Sequence, residues 1–319
     1  MLGVAIETML RCAQHDYNAD ASRVHRMRLP KPYIVVALLA TALLLWGATL
    51  WQRPETTLER IERRGVVRVG YAPEQPFAYR DAHGQVTGEA VAVARLILAR
   101  LGIESIEWVQ TEWAELMPEL QAGRFDLIAT GMFVTCERAA LIAFTEPTFA
   151  LEQAFLVRAG NPHALHSYAD VERQSWVRLA VVSGTHEQSL ATASGITLPQ
   201  IVTVPDAHTG LVAVLDGQAD AFALTRLAIE RLAAQDGAAG RVQIAAPFFQ
   251  PELPGLWSRG YGAFGVRQAD ASLREALNAE LRTFVGSPEH QALVAPFGFR
   301  LADLPGSTTT EALLARCAP

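Results

Sequence analysis

Strand-like and helix-like segments alternate twice along this chain, and that alternation limits the folds open to it. Val66 to Tyr71 reads as a strand, and Glu89 to Leu101 (EAVAVARLILARL) as a helix stopped by Gly102. Ile106 to Val109 is a strand, Trp113 to Ala122 a helix and Phe125 to Ala129 a strand. A second series places strands at Arg178 to Val182, Ile201 to Val204 and Ala219 to Ala223, with helices at Thr185 to Ala193 and Ala207 to Leu215 between them. LQAGRFDLIAT at 120–130 and LDGQADAFAL at 215–224 each run from a helix end through glycine to an acid and into a strand. The expected fold is therefore α/β, with two lobes, each built on a mostly parallel sheet. A further strand at Tyr261 to Val266 and helices at Ala271 to Phe284 and Pro288 to Val294 return the chain to the first lobe. Two crossing segments leave a cleft between the lobes, suited to a small ligand.

An apolar run precedes all of this. Tyr33 to Trp51 is a 19-residue stretch without a charge, and a helix of about that length just spans a hydrocarbon core. Arg23, Arg26, Arg28 and Lys31 lie before it, which keeps the N-terminal end in the cytoplasm and sends the rest outward. The expected division is 1–32 as a cytoplasmic segment or a misassigned start, with Met27 able to open a conventional signal. Residues 33–51 are a signal anchor or signal peptide, and Thr57 to Arg64 lies in a helical spacer at 52–64. Lobe 1 then covers 65–149, lobe 2 covers 150–258, and 259–319 is the return and tail.

Charge narrows the partners. From Arg53 onward 22 basic residues face 30 acidic ones, so the exported part lacks the basic footprint of a nucleic-acid binder. It also lacks a GxxxxGK[ST] loop, a G-x-S-x-G elbow and an H-E-x-x-H motif. His163 and His166 have H-x-x-H spacing but no further ligands nearby, so neither a metal nor a cofactor is expected. Cys136 and Cys317 face an oxidising compartment, where they can pair or remain separate buried thiols.

The chemistry concentrates in Gly131 to Arg138 (GMFVTCER), at the carboxyl end of a strand, where open α/β sheets bind ligands. Arg138, in the first turn of a short helix, offers a two-pronged fork to a carboxylate. With Thr145-Glu146-Pro147, Gly260-Tyr261-Gly262 and stretches such as TGEAVAVA, RGYGAF and PEHQALVAPFGF, the chain from about Val66 to Ala318 resembles an extracytoplasmic solute-binding protein of ABC importers. The class is that of polar amino acids, and the ectoine/hydroxyectoine-binding branch resembles it more closely still.

That resemblance implies a type II periplasmic-binding-protein fold and a non-enzymatic role, capturing a zwitterionic solute for importer permease subunits. It also implies site residues. Arg138 and Thr185 hold the carboxylate, Glu74 accepts from ring N–H groups, and Phe77, Trp113 and Phe133 contact the ring cation. Amino-acid binders of the class carry an acid after the second lobe's strand, where this chain has Thr225. Losing one partner of a buried ion pair costs about 3–5 kcal/mol, so an ordinary α-amino acid binds poorly unless another acid serves. Each residue also has a plainer reading. Phe77 and Phe133 suit a core, Trp113 suits packing at a helix start, and Glu74 suits a solvated loop. Thr185 suits an N-cap, and His186 a solvated helix start. Two other functions fit the same fold: a cyclohexadienyl-dehydratase-like enzyme using Glu74 as general acid, and a membrane-tethered solute sensor.

Overall fold

The computed structural model describes residues 54–253 and 259–317, with residue 36 and residues 39–42. The apolar run at 33–51 lies mostly outside the described residues; its five described positions are helical and exposed. Among the described residues no helix is long and apolar enough to cross a membrane. Residues 55–319 form one compact unit.

That unit begins with α1 (Thr57–Arg64), opened by a capping box between Thr56 and Glu59 and closed by Gly65 at φ 68°. The chain continues through β1 (Val66–Tyr71), the short antiparallel pair β2 (Tyr79–Arg80) and β3 (Val86–Thr87), α2 (Glu89–Arg100) and β4 (Ser105–Gln110). Next come α3 (Leu116–Gln121), β5 (Leu127–Ile128), α4 (Cys136–Ala139) and β6 (Ala143–Phe144). β7 (Phe149–Arg158) leads to α5 (Tyr168–Arg173), β8 (Leu179–Val182), α6 (His186–Ala193), β9 (Ile201–Val204) and α7 (Ala207–Leu215). β10 (Ala221–Thr225), α8 (Arg226–Ala233) and β11 (Val242–Ile244) complete that half. β12 (Arg259–Gly262), β13 (Gly265–Val266), α9 (Ala271–Phe284), α10 (Pro288–Val294) and α11 (Thr310–Leu314) follow.

Two sheets result, one per lobe. The first has the order β4-β1-β5-β13-β6, the second β11-β7-β10-β8-β9. β1 is parallel to β4 and β5, and β8 is parallel to β9 and β10. The remaining pairs are antiparallel, because β13 opposes β5 and β6 while β7 opposes β10 and β11. Each sheet is thus mixed rather than mostly parallel. The reason is the path of the chain: parallel strands point their carboxyl ends at the cleft, and a segment entering from the cleft must run the opposite way. β7 makes the crossing visible, since Phe149–Glu152 pairs with β12 and Gln153–Thr225 begins its ladder with β10. α9 and α10 pack on α2, so the C-terminal chain lies against the first lobe.

Four expected elements differ locally, one being β10, which lies two residues beyond the strand expected at 219–223 and so ends on Thr225. The helix expected at 113–122 opens as a tight 3-10 turn over Trp113–Glu115 and becomes α-helical only at Leu116. Pro118, which has no N–H to donate, is tolerated only in a first turn. The strand expected at 125–129 narrows to β5, although the amides of Asp126 and Ala129 still donate to Arg68 and Gly70. The strand expected at 261–266 divides into β12, which crosses between lobes, and β13, which enters the first sheet. Cys136 and Cys317 form a disulfide (S–S 2.06 Å), tying α4 to the C-terminal segment.

Candidate functional site

Loops at the carboxyl ends of the strands bring the chemistry together. After β1, Glu74 is held in a tight turn: its N–H donates to Ala78 O at 2.7 Å, and its carbonyl accepts from the amides of Phe77 and Ala78. After β5, Thr135 caps α4 by accepting from Arg138 N at 3.2 Å, and this turns the Arg138 side chain inward. After β8, Gly184 (φ 74°) turns the chain into α6. A Cβ there would meet Trp113 at 3.8 Å, a measure of how closely the first lobe approaches.

Glu74, Trp113, Phe133, Arg138, Thr185 and Thr225 all line one small cavity between the lobes. Gly131, His186, Glu187 and Leu224 complete it. Its volume is only about 10 Å³, room for about one water molecule. An amino-acid-sized solute therefore enters only when the lobes part. Open grooves of about 630 and 670 Å³ flank the cavity, and residues of both lobes line each.

Phe77 is the expected site residue that does not reach the cavity. Its ring is fully buried, 4.9 Å from Phe149 and 5.9 Å from Phe299 between centroids. It stands behind Gly131, where a Cβ would come within 2.8 Å of the ring. Phe77 is thus a core residue that supports the cavity wall. Phe133 does face the cavity, and Gly260 makes room for it, since a Cβ there would lie 2.2 Å from the ring. Thr185 stands at the N-cap position, but its hydroxyl donates to Val182 O at 2.8 Å and makes no cap bond. His186 is buried rather than solvated, its ring 5.9 Å from that of Phe133. His163 and His166 face Asp220 and Pro247 O, away from these residues.

Arg138 is 5% exposed. It donates to Phe133 O at 2.9 Å and across the cleft to Gly184 O at 3.1 Å. Its guanidinium also lies 5.6 Å from the Trp113 ring centroid, within cation–π range. Burial pulls the guanidinium below its ordinary pKa, while Glu187, Glu137 and Glu74 pull it back. Burial drives the Glu74 carboxyl up to about 8, reinforced by Glu187 and opposed by Arg138. It drives Glu187 up to about 7, opposed by that residue's own backbone amide, by Arg138 and by the Thr185 hydroxyl.

Glu187 is the site residue that sequence reasoning passes over. An acid in the first turn of a helix reads as a partner for the helix dipole, and that reading conceals a second role. Its presence also changes the argument from Thr225: the acid absent at 225 is available at 187. An α-ammonium is not excluded by Thr225 alone.

The cleft between the two α/β lobes thus brings together an arginine and two acids. Residues 67–299 match the family model of bacterial extracellular solute-binding proteins, family 3. The chain belongs to that family. One family relative is a probable amino-acid ABC transporter periplasmic-binding protein, y4tE of Sinorhizobium fredii, 35% identical over 260 residues and covering 80% of this chain and 85% of its own length. Among solved structures, EhuB in complex with hydroxyectoine superposes with a TM-score of 0.74 at 32% identity, over 82% of this chain and 99% of its own. Cyclohexadienyl dehydratase of Pseudomonas aeruginosa is more distant, 27% identical over 194 residues, which are 60% of this chain and 71% of the enzyme. The two-lobed type II periplasmic-binding fold and the role of solute-binding protein follow from the family.

Proposed function

We propose that this protein captures ectoine, hydroxyectoine or a related zwitterionic solute outside the cytoplasm and delivers it to the permease subunits of an ABC importer. The observation that supports this most is Arg138, buried with no carboxylate in contact among the described residues and sharing its cavity with Glu74, Trp113 and Phe133. A ligand carboxylate takes the donors that Arg138 has left, while Glu74 accepts from the N–H groups of a delocalised cation. Trp113 and Phe133 lie against that cation, each contact contributing about 0.5–2 kcal/mol once desolvated. Thr185 and Thr225 offer hydroxyls from the second lobe, and Phe77 acts through the wall it supports. Ligand bridging both lobes then favours the closed form by its differential affinity for it.

The lobes in this reading are 65–149 and 150–258, with 259–319 returning to the first. Residues 33–51 act as signal anchor or signal peptide and 52–64 as spacer, so that the receptor is periplasmic and either tethered or released. Calorimetric titration of residues 55–319 with ectoine and hydroxyectoine tests the assignment: a saturable heat is expected for at least one of them, and its absence for both would remove it.

The dehydratase reading rests on one observation, a Glu74 carboxyl that stays protonated to about 8 and so has a proton to give. Incubation with prephenate and arogenate separates the two, because binding without turnover is the outcome expected of a receptor.

A further inference from the structure

The second lobe brings an acid to the cavity that the carboxylate–amidinium reading leaves unused. Glu187, in the first turn of α6, is 3% exposed and lines the cavity with Glu74, Arg138 and Thr225. Among the described residues its Oε1 has no hydrogen-bond partner, and neither has the Oγ1 of Thr225. Arg138 does not satisfy it, since the guanidinium donates to the carbonyls of Phe133 and Gly184. The Thr185 hydroxyl, which donates to Val182 O, lies beside the same carboxyl and favours its charged form, but Oε1 is still left over. A buried carboxylate oxygen without a donor is costly unless a ligand supplies one.

The distribution of charge points the same way. The cavity holds two carboxyls, one from each lobe, and one guanidinium. The groove beside it is lined by Glu112, Glu115 and Asp206, and its Arg124 is already paired with Glu119. A cleft of this sign gathers cations. We infer that Glu74 and Glu187 grip the cationic end of the ligand from opposite lobes, so that the site selects carboxylates whose cation carries at least two N–H donors. Amidinium and guanidinium groups meet that requirement, and a quaternary ammonium does not. Thr225 Oγ1 accepts or donates beside the same group. Because one cation then bonds to both lobes, the grip also holds the cleft shut.

This inference rests on the carboxylate clamp of Arg138 but not on ectoine being the ligand. Calorimetry of the wild type with ectoine, arginine and glycine betaine, repeated with Glu187→Gln and Glu187→Asp, tests it. The expected result is binding of ectoine or arginine, no binding of glycine betaine, and affinity at least about tenfold weaker in Glu187→Gln. The Asp variant keeps the charge and is expected to fall between. A role confined to folding would instead lower the melting temperature and leave affinity intact. Binding of arginine alone, weakened by Glu187→Gln, would dismiss ectoine and leave the two-acid grip standing. Unchanged affinity in Glu187→Gln, glycine betaine binding as tightly as the N–H donors, or binding of none of the three would overturn it.

Discussion

Arg138 and Trp113, both on the first lobe, donate to the same atom on the second: the carbonyl oxygen of Gly184 accepts from the guanidinium at 3.1 Å and from the indole Nε1 at 3.2 Å. One carbonyl therefore latches the lobes together, and that latch accounts for a cavity already nearly shut. Trp113→Phe keeps an aromatic face and removes one donor. A neutral hydrogen bond contributes about 0.5–1.5 kcal/mol net, so the variant is expected to shift toward the open form and to bind its ligand up to about tenfold more weakly. Small-angle scattering of the ligand-free protein reads the first effect, and an unchanged radius of gyration would count against the latch.

Removing Arg138 takes away the proposed carboxylate partner altogether. Leaving a buried charge unpaired costs about 3–5 kcal/mol, so Arg138→Ala is expected to lose at least about a hundredfold in affinity. Lysine does not restore the fork geometry, and Arg138→Lys should remain weak. Wild-type affinity in either variant would show that the carboxylate binds elsewhere.

Thr225→Asp reads differently once Glu187 is recognised. A third carboxyl beside Glu74 and Glu187 is buried in a cavity where the acids cannot all ionise together, so its own charge and theirs oppose one another as pH rises. The expected outcome is a lower melting temperature and weaker ligand binding at neutral pH, both partly relieved on acidification. A variant that gained stability at neutral pH would contradict this picture of the cavity.

Gly260 is a specificity residue only through its neighbour. A methyl group there would come within 2.2 Å of the Phe133 ring, and overpacking of this kind costs about 1–3 kcal/mol. Gly260→Ala is expected to tilt Phe133 into the cavity and weaken binding while the chain still folds. Full affinity with an unaltered melting temperature would mean that β12 yields instead of the ring.

Protonation of the two cavity acids ties stability to pH. Glu74 and Glu187 are held at about 8 and about 7 in the fold, whereas the unfolded chain ionises them near the ordinary value of about 4.3. The folded chain binds more protons across that window, so stability falls as pH rises through it. The contribution is fully present below the ordinary glutamate range and is lost above about 8. Glu89, also raised to about 8 by burial, adds in the same direction. His290, pushed down to about 4 by burial, acts oppositely, but only below the ordinary histidine value of about 6.5. Between about pH 6.5 and 8.5 the ligand-free melting temperature should therefore decrease, and Glu74→Gln with Glu187→Gln should flatten the decrease to the part owed to Glu89. A rise over that interval would refute the raised values.

Much of the scaffold is legible in short stretches of chain. The bounds of α1, β1, β9, α7, α9 and α10 agree with the periodicity of their residues. Local devices set them, as where Thr56, Glu59 and Gly65 delimit α1. β7 is not legible in this way. Phe149–Arg158 is buried at nearly every position, so it lacks the alternation that marks a strand with one wet face.

By itself, the sequence determined the two α/β series, the glycine-flanked loops and the presence of an arginine and an acid at strand ends. It did so because capping, turn formation and periodicity depend on neighbours a few residues apart. Only the tertiary structure decided that Phe77 lies behind the wall while Phe133 lies on it, that His186 is buried, and that Glu187 joins Glu74. Each of those outcomes depends on which lobe a side chain meets across the cleft, and no spacing along one strand or helix carries that information.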